Sequence, residues 1–379
     1  MAANPFLGVV FHWLGGLAAG SFYVPYLGVR KWSWEVYWIL GGIFSWVIAP
    51  WVAASIMIPH LCQVLGSQSL SVLGWTFFWG AMWGFGGLTY GLTMRYLGMS
   101  LGTAIVLGLT AVFGTYMPPL FNGTIGATLF SVPGRVILIG MVTTLIGIMI
   151  TASAGLSKER EMDEEQKKKT IKEFNLKKGI LVAIFSGVMS SCFAYGLASG
   201  SPISAAAVQY GAAPIWSGLP KLIVVMSGGF LTNFVWCSYL LFKNRTVRQY
   251  ASRTEVAGAT ALQVTGVDGS KAVQVDDPPS RVPLLSNYLF SALAGVTWYF
   301  QFFFYTMGAT QMGSYKFSSW TIHMASIIIF GSLWGVFLKE WRNTSILSKF
   351  LLGLAITTLV ISTIIVGYGN LLGTQIGVR

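Results

Sequence analysis

One short stretch of this sequence gathers several side chains able to do chemistry: Tyr315-Lys316-Phe317-Ser318-Ser319-Trp320-Thr321-Ile322-His323. At helical spacing, positions 316, 319 or 320, and 323 share a face. That face would present an ammonium, a hydroxyl, an indole and an imidazole, too polar a set to meet lipid. Imidazole has an ordinary pKa of about 6.5 and changes protonation state most easily at neutral pH. His323 is therefore the first candidate for handling a proton, the other reading being a neutral ring bonded to a backbone carbonyl. His12, on a face with Gly16, Ala19 and Tyr23, is the second candidate. Lys316 and Lys221 are the other titratable groups in or beside apolar segments.

A second constellation is Trp298, Gln301 and Tyr305, spaced i, i+3, i+7 along one helical stripe. An amide and a phenol beside an indole suit a polyol, because hydroxyls need directional partners and sugar C–H faces stack on aromatic rings. The alternative is an aromatic stripe that only packs. It is weaker for Gln301, since an unpaired amide away from water costs several kcal/mol. Trp83 and Tyr90 would face this stripe from an earlier segment. Asn233 is a further amide inside an apolar run, and Tyr23 joins the candidate lining. Trp32, Trp34, Tyr37 and Trp38 read as an interface belt.

The elements that must hold these residues are membrane helices. Only 9% of the 379 residues are charged, against roughly 25% in a soluble domain, which excludes a water-soluble globule. A span needs about 20 mostly apolar residues. Ten such runs are expected, near 6–28, 37–58, 70–93, 98–121, 135–154, 179–199, 213–242, 286–307, 314–338 and 349–370. Within the seventh, Pro214 and Pro220 are expected to free a carbonyl or form a hinge. The fold class is thus all-α and polytopic. Of the twelve carboxylates, Glu35 and Glu340 fall at span ends, and the other ten lie in two polar stretches, 156–178 and 243–285. No acid/base or metal-binding carboxylate cluster serves an enzyme acting on lipid-linked sugar. No charged ring suggests a channel. Cys62, Cys192 and Cys237 have no metal-ligand spacing, and neither a metal nor a cofactor is expected.

Twenty of the 24 basic residues fall on one side of these spans. Basic loops stay in the cytoplasm, so both termini are expected outside, and the net charge of +12 reports topology rather than nucleic-acid binding. The two halves also repeat. Shifting residues 80–90 by 215 aligns Gly80, Trp83, Phe85 and Tyr90 with Gly295, Trp298, Phe300 and Tyr305. Shifting residues 8–22 by 171 aligns Gly8, Gly16 and Phe22 with Gly179, Gly187 and Phe193. An odd number of spans per copy inverts the second copy, the architecture of alternating-access carriers. The expected organisation is a first five-helix repeat over 1–155, a charged cytoplasmic linker over 156–178, and a second repeat over 179–379 with a flexible cytoplasmic loop at 243–285. Glycine pairs at i, i+4 (Gly16/Gly20, Gly80/Gly84, Gly87/Gly91, Gly98/Gly102, Gly331/Gly335) suit close helix contacts.

The runs Lys31-Trp32-Ser33-Trp34-Glu35, GLTMRYLGMSLG (91–102), EFNLKKG (173–179), WYFQFFFY (298–305) and LKEW (338–341) resemble the bacterial L-rhamnose–proton symporters, of the drug/metabolite transporter superfamily. The resemblance covers nearly the whole chain apart from 243–285. It implies ten spans in two inverted five-helix copies, periplasmic termini, the bacterial inner membrane, and uptake of a 6-deoxy sugar with a proton. Glu340 resembles the superfamily's helix-end Glu. The family pattern can carry acidic residues where this chain has Lys316, Ser204 and Ala213. A buried Lys316 could then cycle the proton itself, if desolvation lowers its pKa, or select an anionic sugar. Export of a small metabolite is the other transporter reading.

Overall fold

The structure, a computed structural model, describes residues 3–161, 175–254 and 281–376. Among these the chain is helical, with one isolated antiparallel bridge between Thr254 and Arg281. Ten long helices carry the fold: α1 (Pro5–Ser21), α2 (Trp34–Met57), α3 (Leu70–Leu97), α4 (Met99–Phe121), α5 (Val132–Arg160), α6 (Leu176–Ser199), α7 (Leu219–Lys243), α8 (Leu284–Thr310), α9 (Ser319–Phe337) and α10 (Ile346–Ile376). Among the described residues, eight helical stretches, built on all of these but α3 and α8, are long and apolar enough to cross a membrane. Helices α3 and α8 have the length, at 28 and 27 residues, but are rich in Gly, Trp, Tyr, Ser and Thr, which lower their hydropathy.

Side-chain caps mark where several helices start. Asn4, Ser69, Ser131 and Asn175 each accept a backbone N–H from the first turn of the helix that follows. Pro220 sits in the first turn of α7, where its missing N–H costs nothing. The hinge expected within this span is therefore a helix start, preceded by a separate turn over Pro214–Trp216.

Packing is pairwise. Helix α1 lies on α8 and α9, and α6 lies on α3 and α4; α3 packs against α7, α8 against α2, and α5 against α10. Glycines permit these approaches. A Cβ on Gly16 would collide with Ser326 of α9, one on Gly80 with the Val225 carbonyl of α7, and one on Gly84 would lie 2.7 Å from Thr232. Around Gly87 and Gly91 there is open space, so that pair is not a helix contact.

The Lys- and Arg-rich helix ends meet in one polar layer. Lys158 pairs with Glu340 at 3.5 Å, Glu159 accepts from the N–H and hydroxyl of Ser100, and Glu161 accepts from Ser345 and Ser348. Glu35, placed by its sequence at a span end, is buried, its carboxylate accepting from Asn244 at 3.0 Å and Thr246 at 2.8 Å. Gln249 and Ser33 bond each other twice, and Tyr250 donates to the Val36 carbonyl. Thus residues 244–250, inside the stretch read as flexible loop, form a short helical turn docked on the start of α2. Most of that stretch (255–280), and most of the charged linker (162–174), lie outside the described residues. Trp32 and Tyr37 are buried rather than forming an interface belt: Tyr250 of the docked turn and Tyr288 pack edge-on against the Trp32 ring, and Tyr26 packs on Tyr37.

Candidate functional site

Helices α1, α8 and α9 bring three chemistry-bearing side chains into one buried cluster. His12 and His323 are both fully buried. Their rings lie 6.5 Å apart, and the Tyr305 ring is 5.2 Å from each. Trp320 closes the group at 5.6 Å from Tyr305 and 6.1 Å from His323. The approach depends on two small residues. A Cβ on Gly308 would stand 2.8 Å from the His12 ring, and one on Gly15 would stand 2.7 Å from the Gln301 carbonyl. None of the four imidazole nitrogens has a hydrogen-bond partner among the described residues. Buried polar atoms are normally paired, so these nitrogens are available to a proton, a water or a ligand hydroxyl.

The nearby Trp320 indole and the Thr115 and Thr321 hydroxyls are already committed. The Trp320 indole donates to the Thr110 carbonyl at 2.9 Å. The hydroxyls of Thr115 and Thr321 bond each other at 2.9 Å. Gln301 is buried one turn from Tyr305.

Rings lead from this cluster to a second layer. Phe302 is 5.8 Å from His323 and stacks on Phe193 at 4.0 Å. Trp83 and Trp298 face each other at 5.6 Å, as their matching places in the two halves suggested, and Trp46 meets both, at 6.3 and 5.6 Å. Asn233 accepts from the Trp38 indole at 3.2 Å and donates to the Gly229 carbonyl at 2.9 Å.

Three sequence candidates lie elsewhere. Lys316 is exposed, because residues 313–318 form a separate 3-10 turn and α9 begins only at Ser319; the ammonium therefore leaves the His323 face. Tyr90 does not face Tyr305; its hydroxyl bonds Thr103 at 3.0 Å, beside Leu97 and Val106. Tyr23 is half exposed and packs on Phe22 at 4.1 Å, past the end of α1 that carries His12. Sequence reasoning passed over Trp46, Phe193 and Phe302, whose apolar character carries no positional signal. The burial of Glu35 depends on partners some 210 positions along the chain.

Comparison with known proteins decides the family. A sequence profile of the L-rhamnose-proton symport protein (RhaT) family matches residues 1–273 and 267–371. The chain belongs to this family. Relatives from Salmonella gallinarum (strain 287/91), Salmonella paratyphi B (strain SPB7) and Salmonella newport (strain SL254), each named L-rhamnose-proton symporter, are 36% identical over 364 residues. The match covers 96% of this chain and 97% of each relative. The RhaT family is one of transporters, not enzymes, and the resemblance read from runs such as WYFQFFFY is a family membership.

Proposed function

We propose that this protein imports L-rhamnose together with protons across the bacterial inner membrane by alternating access. The observation that carries the reading is the pair of unpaired imidazoles, His12 and His323, set beside Tyr305 within a chain of the L-rhamnose-proton symport family. The described carboxylates lie in the basic polar layer, and the buried one there, Glu35, is already held by Asn244 and Thr246. The imidazoles are thus the groups placed to carry a proton through the interior. Gln301, Tyr305 and Trp298, with Trp83 and Trp320, form the sugar site.

The helix pairing supports ten spans in two inverted copies, the arrangement of the drug/metabolite transporter superfamily. Exchanging the copies turns α1 on α8 and α9 into α6 on α3 and α4, and turns α3 against α7 into α8 against α2, all of which occur. The two alignment shifts predict a finer match: Gly15 and Gly86 of the first copy correspond to Ser186 and Gln301 of the second, so a contact between Gly15 and Gln301 has its counterpart between Ser186 and Gly86. Gly15 lies against the Gln301 carbonyl, and the Ser186 hydroxyl donates to the Gly86 carbonyl at 2.9 Å. The basic polar layer faces the cytoplasm, leaving the termini periplasmic. Rocking of the copies exposes the central site to each side in turn, with protonation and sugar together permitting the switch.

The test is external pH in a lightly buffered, energy-depleted suspension of expressing cells when L-rhamnose is added. Alkalinisation absent from control cells is the expected result. Entry of labelled rhamnose without a pH change would overturn proton coupling. Neither entry nor pH change would overturn the substrate as well, and direct attention to uronates.

A further inference from the structure

Helix α2 is not uniform. Over Ile43–Ile48 its hydrogen bonding slips from i→i+4 to i→i+5, giving a π-helical turn, a rare irregularity that occurs frequently at functional sites. The turn carries Ser45 and Trp46, 2% and 5% exposed. Neither the Ser45 hydroxyl nor the Trp46 indole N–H has a hydrogen-bond partner among the described residues. Two adjacent buried donors left unpaired are costly, an expense that a membrane interior does not relieve with bulk water.

Both residues line a narrow cleft walled by Phe22, Tyr26, Trp38 and Trp298. Glycines keep it open. A Cβ on Gly42 would stand 2.6 Å from the Trp46 ring, and one on Gly41 or Gly295 would collide with the Tyr26 hydroxyl or the Gly41 carbonyl. The cavity volume is about 10 Å3, room for about one water and far below the ~300–1,000 Å3 of ordinary ligand pockets, so a sugar enters only as the walls part. Trp298 belongs both to this cleft and to the aromatic layer with Trp83. The cleft therefore continues from the His12–Tyr305–His323 cluster toward the basic end of the bundle: along α8, Gly295 and Trp298 lie on that side of Tyr305, and along α1 Phe22 lies on that side of His12.

We propose that this cleft is a second hydroxyl-reading subsite of the transport path, in which the Ser45 hydroxyl and the Trp46 N–H hydrogen-bond two hydroxyls of the sugar while the Trp298 and Trp38 rings cover its C–H face. This rests on the rhamnose reading above.

The test measures equilibrium binding of labelled L-rhamnose, and of its 2-, 3- and 4-deoxy analogues as competitors, to the purified full chain and to Ser45→Ala and Trp46→Phe. Each substitution is expected to weaken rhamnose about 3- to 10-fold, the value of one neutral hydrogen bond. One deoxy analogue that binds the unchanged protein less well than rhamnose should bind the matching variant as well as rhamnose does, since the lost pair is already missing. Ser45→Ala should also raise the melting temperature of the sugar-free protein by removing an unpaired donor, a gain that a purely structural hydroxyl would not show. Equal penalties for every analogue in the variants and the unchanged protein would overturn the proposal alone. Failure of the unchanged protein to bind rhamnose would overturn the rhamnose reading and this proposal with it. Ser45→Ala removes a single oxygen, so the comparison stands even if Trp46→Phe fails to fold.

Discussion

The rings of His12 and His323 approach edge-on at 6.5 Å, and no described residue satisfies any of their four nitrogens. They come from opposite ends of the chain and meet only because α1 packs on α9 along Gly16 and Gly20. Titratable side chains inside a membrane are costly to keep and mark ion pathways. The pair with Tyr305 between them is the centre of the proposed coupling site.

His323→Ala is therefore expected to abolish rhamnose-induced alkalinisation while equilibrium binding of rhamnose persists. His12→Ala should behave similarly if the two rings share the proton. Cells carrying His323→Ala that still alkalinise the medium at the normal rate would remove His323 from the coupling step.

Glu35 predicts a stability effect rather than a transport effect. Its buried carboxylate takes bonds from Asn244 and Thr246 and so fixes the 244–250 turn onto α2. Glu35→Ala strands both donors and should destabilise the protein by about 1–3 kcal/mol, read as a lower melting temperature in detergent. An unchanged melt would show that the turn docks without it.

Glycine substitutions should split by site. Gly80→Ala sets a methyl against the Val225 backbone carbonyl, which cannot rotate away; overpacking of this kind costs about 1–3 kcal/mol. Gly87→Ala meets nothing within 4 Å and should stabilise α3 by about 0.5–1 kcal/mol through helix propensity alone. Melting of the two variants side by side checks the assignment of α3's packed and open faces.

The polar layer adds a pH prediction. Hydrogen bonds from the Ser345 hydroxyl, the Ser348 hydroxyl and the Ser345 N–H hold the Glu161 carboxyl below its ordinary value of 4.5. A depressed carboxyl stabilises the folded state above its unfolded pKa, and this contribution disappears as pH falls through the lowered folded value. Glu161→Gln should therefore melt earlier than the unchanged protein at neutral pH, and the gap should narrow in acid below pH 4.5. A gap of constant size across that range would show that the carboxylate charge is not what joins α5 to α10.

Long apolar runs, the bias of Lys and Arg to one set of loops, and the polar side chains inside the runs were legible in the sequence. A lipid phase demands each of them locally: about 20 apolar residues per span, charge at span ends, and a reason for every buried polar group. His12, His323, Tyr305, Trp298 and Gln301 stood out for that reason, as did the family resemblance carried by contiguous runs. Tertiary structure alone decided which of these meet. Lys316 left the His323 face because α9 starts at Ser319, and Tyr90 turned to Thr103 instead of Tyr305. Pro220 opened a helix instead of bending one. The burial of Glu35 required a turn more than 200 positions away, and the π turn that strands Ser45 and Trp46 required a register slip that no residue type announces. Such features are set by contacts between distant helices, and a periodic apolar pattern is equally compatible with several of them.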